Sequence, residues 1–304
     1  MKALITGSEG FVGTYLRAEL EEHGYEVVGA DLAEGPRTRH VDLLDAQSVL
    51  ALMREERPDV VFHLAAQADV GQSWKRPQLT MEVNVVGAIN VLEAVRAVSP
   101  QHTRVLTVGS SDQYGALGAN GAYVTEETPL RPMTPYAISK RAQEEMSALY
   151  VRSYGMHICA TRSFNHGGAG QRTGFMIPDF ASGIVAVERG ERDELLVGNL
   201  EAKRDFTHVK DIVRAYRLIV ERGQSGEAYN VGSGTVHSAQ EVLDMLRDMA
   251  GCHVPVRQDP SRMRPSDTPV IRCDHTKVTN DTGWEPELPL EAILKDTLTY
   301  YREQ

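Results

Sequence analysis

The stretch Lys2-Ala3-Leu4-Ile5-Thr6-Gly7-Ser8-Glu9-Gly10-Phe11-Val12-Gly13-Thr14-Tyr15-Leu16-Arg17 decides how this chain folds. Ala3-Leu4-Ile5-Thr6 reads as a buried parallel strand, and the sequence from Thr14 onward reads as a helix. Between them stand three glycines, each separated from the next by two residues. In that setting Gly7, Gly10 and Gly13 allow a tight turn, close approach of a pyrophosphate to backbone N–H groups, and close packing of the helix. The helix N-terminus adds its positive dipole end. The pattern predicts a dinucleotide site at Gly7, Gly10, Phe11, Val12 and Gly13 rather than an ordinary strand-to-helix turn.

Working outward, the strand Glu26-Val27-Val28-Gly29-Ala30 ends at Asp31-Leu32. A carboxylate there is expected to accept hydrogen bonds from the adenosine ribose diol and to repel a 2′-phosphate. NAD(H) is therefore favoured and NADP(H) stays possible, with Arg37 and Arg39 as the residues able to reverse the choice. His40-Val41-Asp42-Leu43 and a helical stretch precede the strand Val60 to Leu64. Asp42 and Leu43 are placed by the adenine, and Leu64, Ala65, Ala66 and Gln67 beneath the ribose and phosphates. His63, embedded in that apolar strand, reads as a core histidine.

Strands alternating with helices imply βαβ units. The expected class is α/β, a Rossmann-type doubly wound parallel sheet with a smaller interleaved C-terminal α/β substrate domain. Residues 1–165, rejoined by parts of about 205–250, form the expected NAD(P)-binding domain, and residues 166–304 mainly the substrate domain.

The 304 residues carry 32 basic and 42 acidic side chains, a net charge of −10, which disfavours a nucleic-acid partner. Apolar runs are too short to span a bilayer. Cys159, Cys252 and Cys273 have no ligand spacing, so no metal is expected. The opening MKALITG has no signal-peptide succession, and a cytoplasmic protein is the simplest expectation. The stretch VNVVGAINVLEAVRAV is apolar on too many sides to face solvent freely, which suggests a homodimer seam.

A further strand, Arg104 to Gly109, delivers Ser110-Ser111-Asp112 at its carboxyl end, where ligands of open α/β sheets bind. Tyr136-Ala137-Ile138-Ser139-Lys140 follows on a predicted helix. One turn apart, Tyr136 and Lys140 share a face, and an ammonium beside a phenol favours the ionised form.

Taken in order, the glycine loop, Asp31, Ser110 and the Tyr136/Lys140 pair resemble the extended short-chain dehydrogenase/reductase family over the whole chain. The likeness is to its nucleotide-sugar enzymes. Gly198 to Asp205, Phe164-Asn165-His166, Arg204 to Ile212 and Arg264-Pro265-Ser266-Asp267 resemble the GDP-sugar branch, which holds both 4,6-dehydratases and 4-keto-6-deoxyhexose reductases. The resemblance implies that Tyr136 transfers the proton, Ser110 binds the reacting oxygen, and Lys140 tunes Tyr136 and holds the nicotinamide ribose. It further implies substrate contacts from Ser111, Asn165, Asn199, Arg204, Arg264, Pro265, Ser266 and Asp267, the two arginines clamping a diphosphate or ribose.

The implied function is NAD(P)H-dependent reduction of the C4 ketone of a GDP-4-keto-6-deoxyhexose. The alternative is a 4,6-dehydratase or an epimerase of nucleotide sugars. Asp112 stands where the dehydratases have a glutamate base. Met176-Ile177-Pro178-Asp179, however, lacks the lysine those enzymes carry soon after their equivalent of Gly174-Phe175. A sensor without turnover is disfavoured because Ser110, Tyr136 and Lys140 are all present.

Overall fold

The computed structural model describes residues 1–35, 37–118, 123–260 and 270–304. It opens with β1 (Lys2–Thr6), α1 (Phe11–Glu22), β2 (Glu26–Asp31) and β3 (Thr38–His40). Next come α2 (Ala46–Glu56), β4 (Val60–His63), short helices α3 (Val70–Lys75) and α4 (Pro77–Met81), a π-helical turn at Glu82–Val86, and α5 (Gly87–Val98). The reactive region follows: β5 (Arg104–Ser110), a 3₁₀ segment at Ser111–Gly118, β6 (Tyr123–Val124), α6 (Pro135–Tyr154), β7 (His157–Ser163) and β8 (Asn165–Gly167). The remainder runs α7 (Met176–Glu188), β9 (Leu195–Val197), β10 (Lys203–His208), α8 (Val209–Arg222), β11 (Ala228–Val231), β12 (Val236–Ser238), α9 (Ala239–Ala250), β13 (Val256–Gln258), β14 (Arg272–Cys273), α10 (Thr276–Thr282) and α11 (Leu290–Glu303).

Seven of these strands pair in parallel in the order β11-β7-β5-β4-β1-β2-β3, the doubly wound sheet expected. Strand periodicity sets the two faces. Ala3 and Ile5 of β1 point to a core shared with Leu16 and Leu20 of α1 and Ile212, Tyr216 and Ile219 of α8. Leu4, between them, points to the other core, among Val49 and Met53 of α2 and Val91 and Val95 of α5. The apolar side chains of Gly87–Val98 are thus mostly consumed within the subunit.

A third core joins α7, β9, β10, α9 and α11 through residues such as Phe180, Ile184, Phe206, Leu243 and Leu294. Its strands are short, in a three-stranded sheet β12-β10-β8 and the pair β13-β9, with β14-β6 forming a second pair near the site. Asp205 of β10 is the knot between these parts. One carboxylate oxygen accepts from Ser233 N (2.9 Å) and Ser233 Oγ (2.6 Å), the other from Gly234 N (2.8 Å) and Cys273 N (3.0 Å). Burial pushes its pKa up, while these bonds pull it down. Among the described residues no helix is long and apolar enough to cross a membrane.

Deleting the Asp205 carboxylate strands several buried donors, each costing about 1–3 kcal/mol when unpaired. Asp205→Ala is therefore expected to destabilise the protein by roughly 3 kcal/mol or more. Ser233→Ala, which removes one hydroxyl donor and leaves the carboxylate, should cost roughly 1 kcal/mol. Urea unfolding of both variants checks this, and equal midpoints would refute the knot.

Candidate active site

The carboxyl ends of the parallel strands open into a cavity of about 1020 Å³. Its lining runs from the glycine loop through Ser110 and Tyr136 to Asn199 and Arg204. At its start, Gly7 has φ 74° and a Cβ there would stand 2.8 Å from Ala65 N, so only glycine fits. A Cβ on Gly13 would run into the carbonyls of Gly7 and Ser8, so its absence lets α1 seat on the loop. Gly10 caps α1 with no side-chain hydrogen bond and no acid stands in the first turn. The first-turn N–H groups are therefore available to an anion. This cradle fits a dinucleotide pyrophosphate.

Of the residues expected at the cofactor, Gly7, Gly10, Phe11, Val12, Gly13, Asp31, Leu32, Asp42, Leu43, Leu64, Ala65 and Ala66 all line the cavity. Gln67 does not. Its backbone is held from both sides by Asn84, whose Oδ1 accepts from Gln67 N (2.7 Å) and whose Nδ2 donates to Gln67 O (3.2 Å). Asn84 sits in the π-helical turn and also donates to Ser139 Oγ on α6 (2.9 Å). Asp31 accepts from Glu9 N and Ala33 N, both at 3.0 Å, so it also shapes the loop. Arg37 and Arg39 are engaged elsewhere, with Glu21 (2.7 Å) and with Glu55 and Glu56 (2.7 Å each).

Ser110, Ser111, Asp112, Tyr136 and Lys140 meet further along the same cavity. Helix α6 starts cleanly because Pro135 occupies its first turn and Thr134 Oγ1 accepts from Ala137 N (3.0 Å). Tyr136 therefore stands at the helix entrance, with the Ser110 side chain near enough to lower the pKa of its hydroxyl. Tyr136 lines the cavity and is partly exposed to it. Lys140, only 2% exposed, donates to Val108 O (2.7 Å) and Gln143 Oε1 (3.2 Å).

The electrostatics differ from the expectation for an ammonium beside a phenol. Burial pushes the Tyr136 pKa well above its usual value, the Asp112 carboxylate pushes it further, and the Ser110 bond lowers it only in part. Burial also brings the Lys140 amine down to about 7. Desolvation outweighs the pairing that spacing alone suggests. Tyr136 is thus held as a neutral phenol.

Asn165, Asn199 and Arg204 line the far end of the cavity. Arg204 stands on β10, with α8 beginning five residues later at Val209, so the arginine is carried by a strand rather than by the helix start. Arg264, Pro265, Ser266 and Asp267 lie outside the described residues. His63 is a core residue, 1% exposed, with Nδ1 bonded to the Thr6 hydroxyl (2.8 Å) and its pKa pushed down to about 3 by burial.

Several wall residues escaped the sequence reading. Tyr216, from α8, is fully buried against the cavity with its hydroxyl bonded to Ser163 Oγ (2.7 Å). His166 stacks on Phe11, ring centroids 6.4 Å apart, joining the glycine loop to the segment after β7. Glu9 lines the adenosine end, and an acid inside a loop built for an anion was the one legible signal. Among the described residues no group of three or more His, Cys, Asp or Glu could hold a metal ion.

A parallel sheet with a glycine cradle at one end of its cleft and a Ser–Tyr–Lys group at the other defines a short-chain dehydrogenase/reductase enzyme. The chain belongs to the family described as GDP-mannose 4,6 dehydratase, whose model matches residues 4–297. It is 33% identical to GDP-6-deoxy-D-mannose reductase of Pseudomonas aeruginosa, over 100% of this chain and 99% of that one. Among solved structures it is similar to RMD of Pseudomonas aeruginosa complexed with NADPH, with a TM-score of 0.90 at 31% identity, covering 100% of this chain and 99% of that one. UDP-glucose 4-epimerase of Thermus thermophilus complexed with NAD is equally close in shape, with a TM-score of 0.90 at 30% identity and 99% coverage of both chains. Relatives of this fold therefore take either nicotinamide cofactor.

The Lys140 value carries a stability signature. Its folded pKa, about 7, lies below the ordinary 10.5, so the unfolded chain binds more protons between those values and stability rises with pH across that window. The cost of burying the charged amine is present in full below about pH 7. Lys140→Met should therefore stabilise the protein more at pH 6.5 than at pH 9.5. Urea unfolding at both values measures this, and an equal gain at each would contradict the buried amine.

Proposed function

We propose that this chain is an NAD(P)H-dependent reductase. Its substrate is a GDP-4-keto-6-deoxyhexose, and its product a GDP-6-deoxyhexose such as GDP-D-rhamnose. The observation that carries the reading is the meeting of Ser110, Tyr136 and Lys140 in the same cavity as the glycine cradle. Likeness to a GDP-6-deoxy-D-mannose reductase along the full chain supports the choice of substrate. A reduced nicotinamide bound in the cleft supplies the hydride for C4 of the sugar. As charge develops on O4, Tyr136 gives up its phenol proton to that oxygen and Ser110 donates a hydrogen bond to it. Lys140 serves the nicotinamide ribose. Ser111 and Asn165 take the sugar end, and Asn199 and Arg204 the GDP end.

In this reading residues 1–165, with parts of 205–250, are the cofactor unit and residues 166–304 mainly the sugar-nucleotide unit. NAD(H) is the favoured cofactor, on the strength of Asp31 at the end of β2, and no metal is needed. The protein is taken as a cytoplasmic homodimer. Supporting the dimer, Ile138, Leu149 and Tyr154 of α6 are 48%, 42% and 46% exposed.

A second reading, the 4,6-dehydratase, is favoured by one observation: Asp112 lies close enough to Tyr136 for its charge to raise the phenol pKa, where a second base would be needed. The two separate cleanly. GDP-4-keto-6-deoxymannose offered with NADH or NADPH should be consumed with stoichiometric oxidation of the cofactor, and GDP-mannose offered with oxidised cofactor should be left intact. Conversion of GDP-mannose would overturn the reductase in favour of the dehydratase. Tyr136→Phe should lower kcat by roughly 10²-fold or more, as for loss of a general acid, with cofactor Kd little changed. Unaltered kcat would remove Tyr136 from the mechanism.

A further inference from the structure

The adenosine end of the cleft holds a charge cluster whose parts come from four segments. Glu9, in the glycine loop, places Oε1 where three donors converge: Thr38 Oγ1, Ser8 Oγ (3.3 Å) and Arg17 Nη2 (3.3 Å). Arg17 Nη2 also donates to Thr38 Oγ1 (3.0 Å), while its Nη1 is buried with no hydrogen-bond partner among the described residues. The cluster fills the space beside two glycines. A Cβ on Gly29 of β2 would stand 2.6 Å from Arg17 Nη2 and 2.7 Å from Thr38 Oγ1, and one on Gly35 would run into the Glu9 carboxyl. Glu9 N in turn donates to Asp31 Oδ2, so both carboxylates border the same corner of the cavity.

Three arginines, Arg17, Arg37 and Arg39, stand behind this corner without lining the cavity, and each is paired with a carboxylate of the chain itself. Arg17 has Glu9, Arg37 has Glu21, and Arg39 has Glu55 and Glu56. A ribose 2′-phosphate entering here would bring about two negative charges at neutral pH toward Glu9 and Asp31. It could recruit a cation only by breaking an existing pair. A ribose 2′-hydroxyl faces no such conflict, because it can donate to either carboxylate.

We propose that Glu9, by neutralising Arg17, sets a preference for NAD(H) over NADP(H), and that Arg17 is a latent 2′-phosphate cation that Glu9 keeps masked. This rests on the reading of the cleft as a nicotinamide-dinucleotide site and adds to it a specificity residue outside the strand end. Glu9→Gln keeps the size of the side chain and its ability to accept from Thr38 and Arg17, but removes its charge.

The test is direct binding, read by the fluorescence of NADH and NADPH titrated into purified protein without sugar nucleotide, with circular dichroism as the check on folding. The unaltered protein should bind NADH more tightly. Glu9→Gln should tighten NADPH by about tenfold or more relative to NADH, because one repulsive charge leaves and one attractive charge is exposed. That gain should shrink as salt is raised. Adding Arg17→Met to Glu9→Gln should remove the attractive part of that gain and leave only the part due to lost repulsion, and Glu9→Ser gives an independent second variant of the same charge. A Kd ratio unmoved by both Glu9 substitutions, or a gain undiminished by Arg17→Met, would overturn the inference while leaving the dinucleotide site intact. Failure of the unaltered protein to bind either reduced cofactor would instead bring down the dinucleotide reading and this inference with it.

Discussion

The interaction on which the rest of the cleft depends is the largely buried ion pair between Glu144 of α6 and Arg162 of β7. The guanidinium reaches the carboxylate with two nitrogens, Nε to Oε2 at 3.0 Å and Nη2 to Oε1 at 2.7 Å. The same carboxylate accepts from Gln113 Nε2 (2.8 Å), and Gln113 Oε1 accepts from Ser110 N (3.0 Å). Arg162 Nη1 completes the set by donating to Tyr114 Oη (2.9 Å) and Glu126 O (2.8 Å). Glu144 stands eight residues after Tyr136 and four after Lys140, on the face of α6 they share. One charged pair therefore fixes the reactive helix against the strand end that carries Ser110. Buried ion pairs add little net stability, but breaking one is costly, so their effect is to specify one arrangement over its neighbours. The position of the phenol relative to Ser110 is such a choice.

A second constraint acts at the opposite end. The glycine cradle leaves the first turn of α1 uncapped, and its neighbours reach out from it in two directions. Phe11 stacks on His166, and Tyr15 donates to Ala169 O (2.9 Å). The loop that would hold a pyrophosphate is thus packed against the segment that leads into α7 and the far end of the cleft. The two ends share a wall, so an extended ligand at one is measured against the other.

How much of this was legible follows from the distance over which each signal acts. Strand, glycine loop and helix at Lys2–Glu22 are local, and glycine spacing reports them because backbone approach leaves no room for a Cβ. The Tyr136–Lys140 spacing gave the shared face correctly. It says nothing of burial and Asp112, which raise the phenol's pKa and are properties of the packed site and not of a helix turn. Arg37 and Arg39 were visible as cations near Asp31, but their partners Glu21, Glu55 and Glu56 sit on α1 and α2, where sequence order carries no hint of pairing. Gln113, Glu144 and Arg162 likewise meet only through the register that sets Gly109 beside Arg162. In the C-terminal half the periodicity failed because β9, β12 and β13 are three residues each, too short for alternation to be read.

The protonation state of Tyr136 bears on the direction in which such a site runs easily. Burial and the Asp112 charge keep the phenol protonated at rest, and by raising its pKa they also make it a weaker proton donor. To act as a base, as removal of a hydroxyl proton during sugar oxidation requires, it must ionise against both. Lys140 offers limited help, since its amine is turned to Val108 O and loses charge near neutrality. A positive charge would have to arrive from outside the chain to make the ionised phenol tolerable. The charges that move this phenol's pKa therefore include Asp112, which raises it, so proton transfer at Tyr136 in either direction depends on what the bound ligands add to the site.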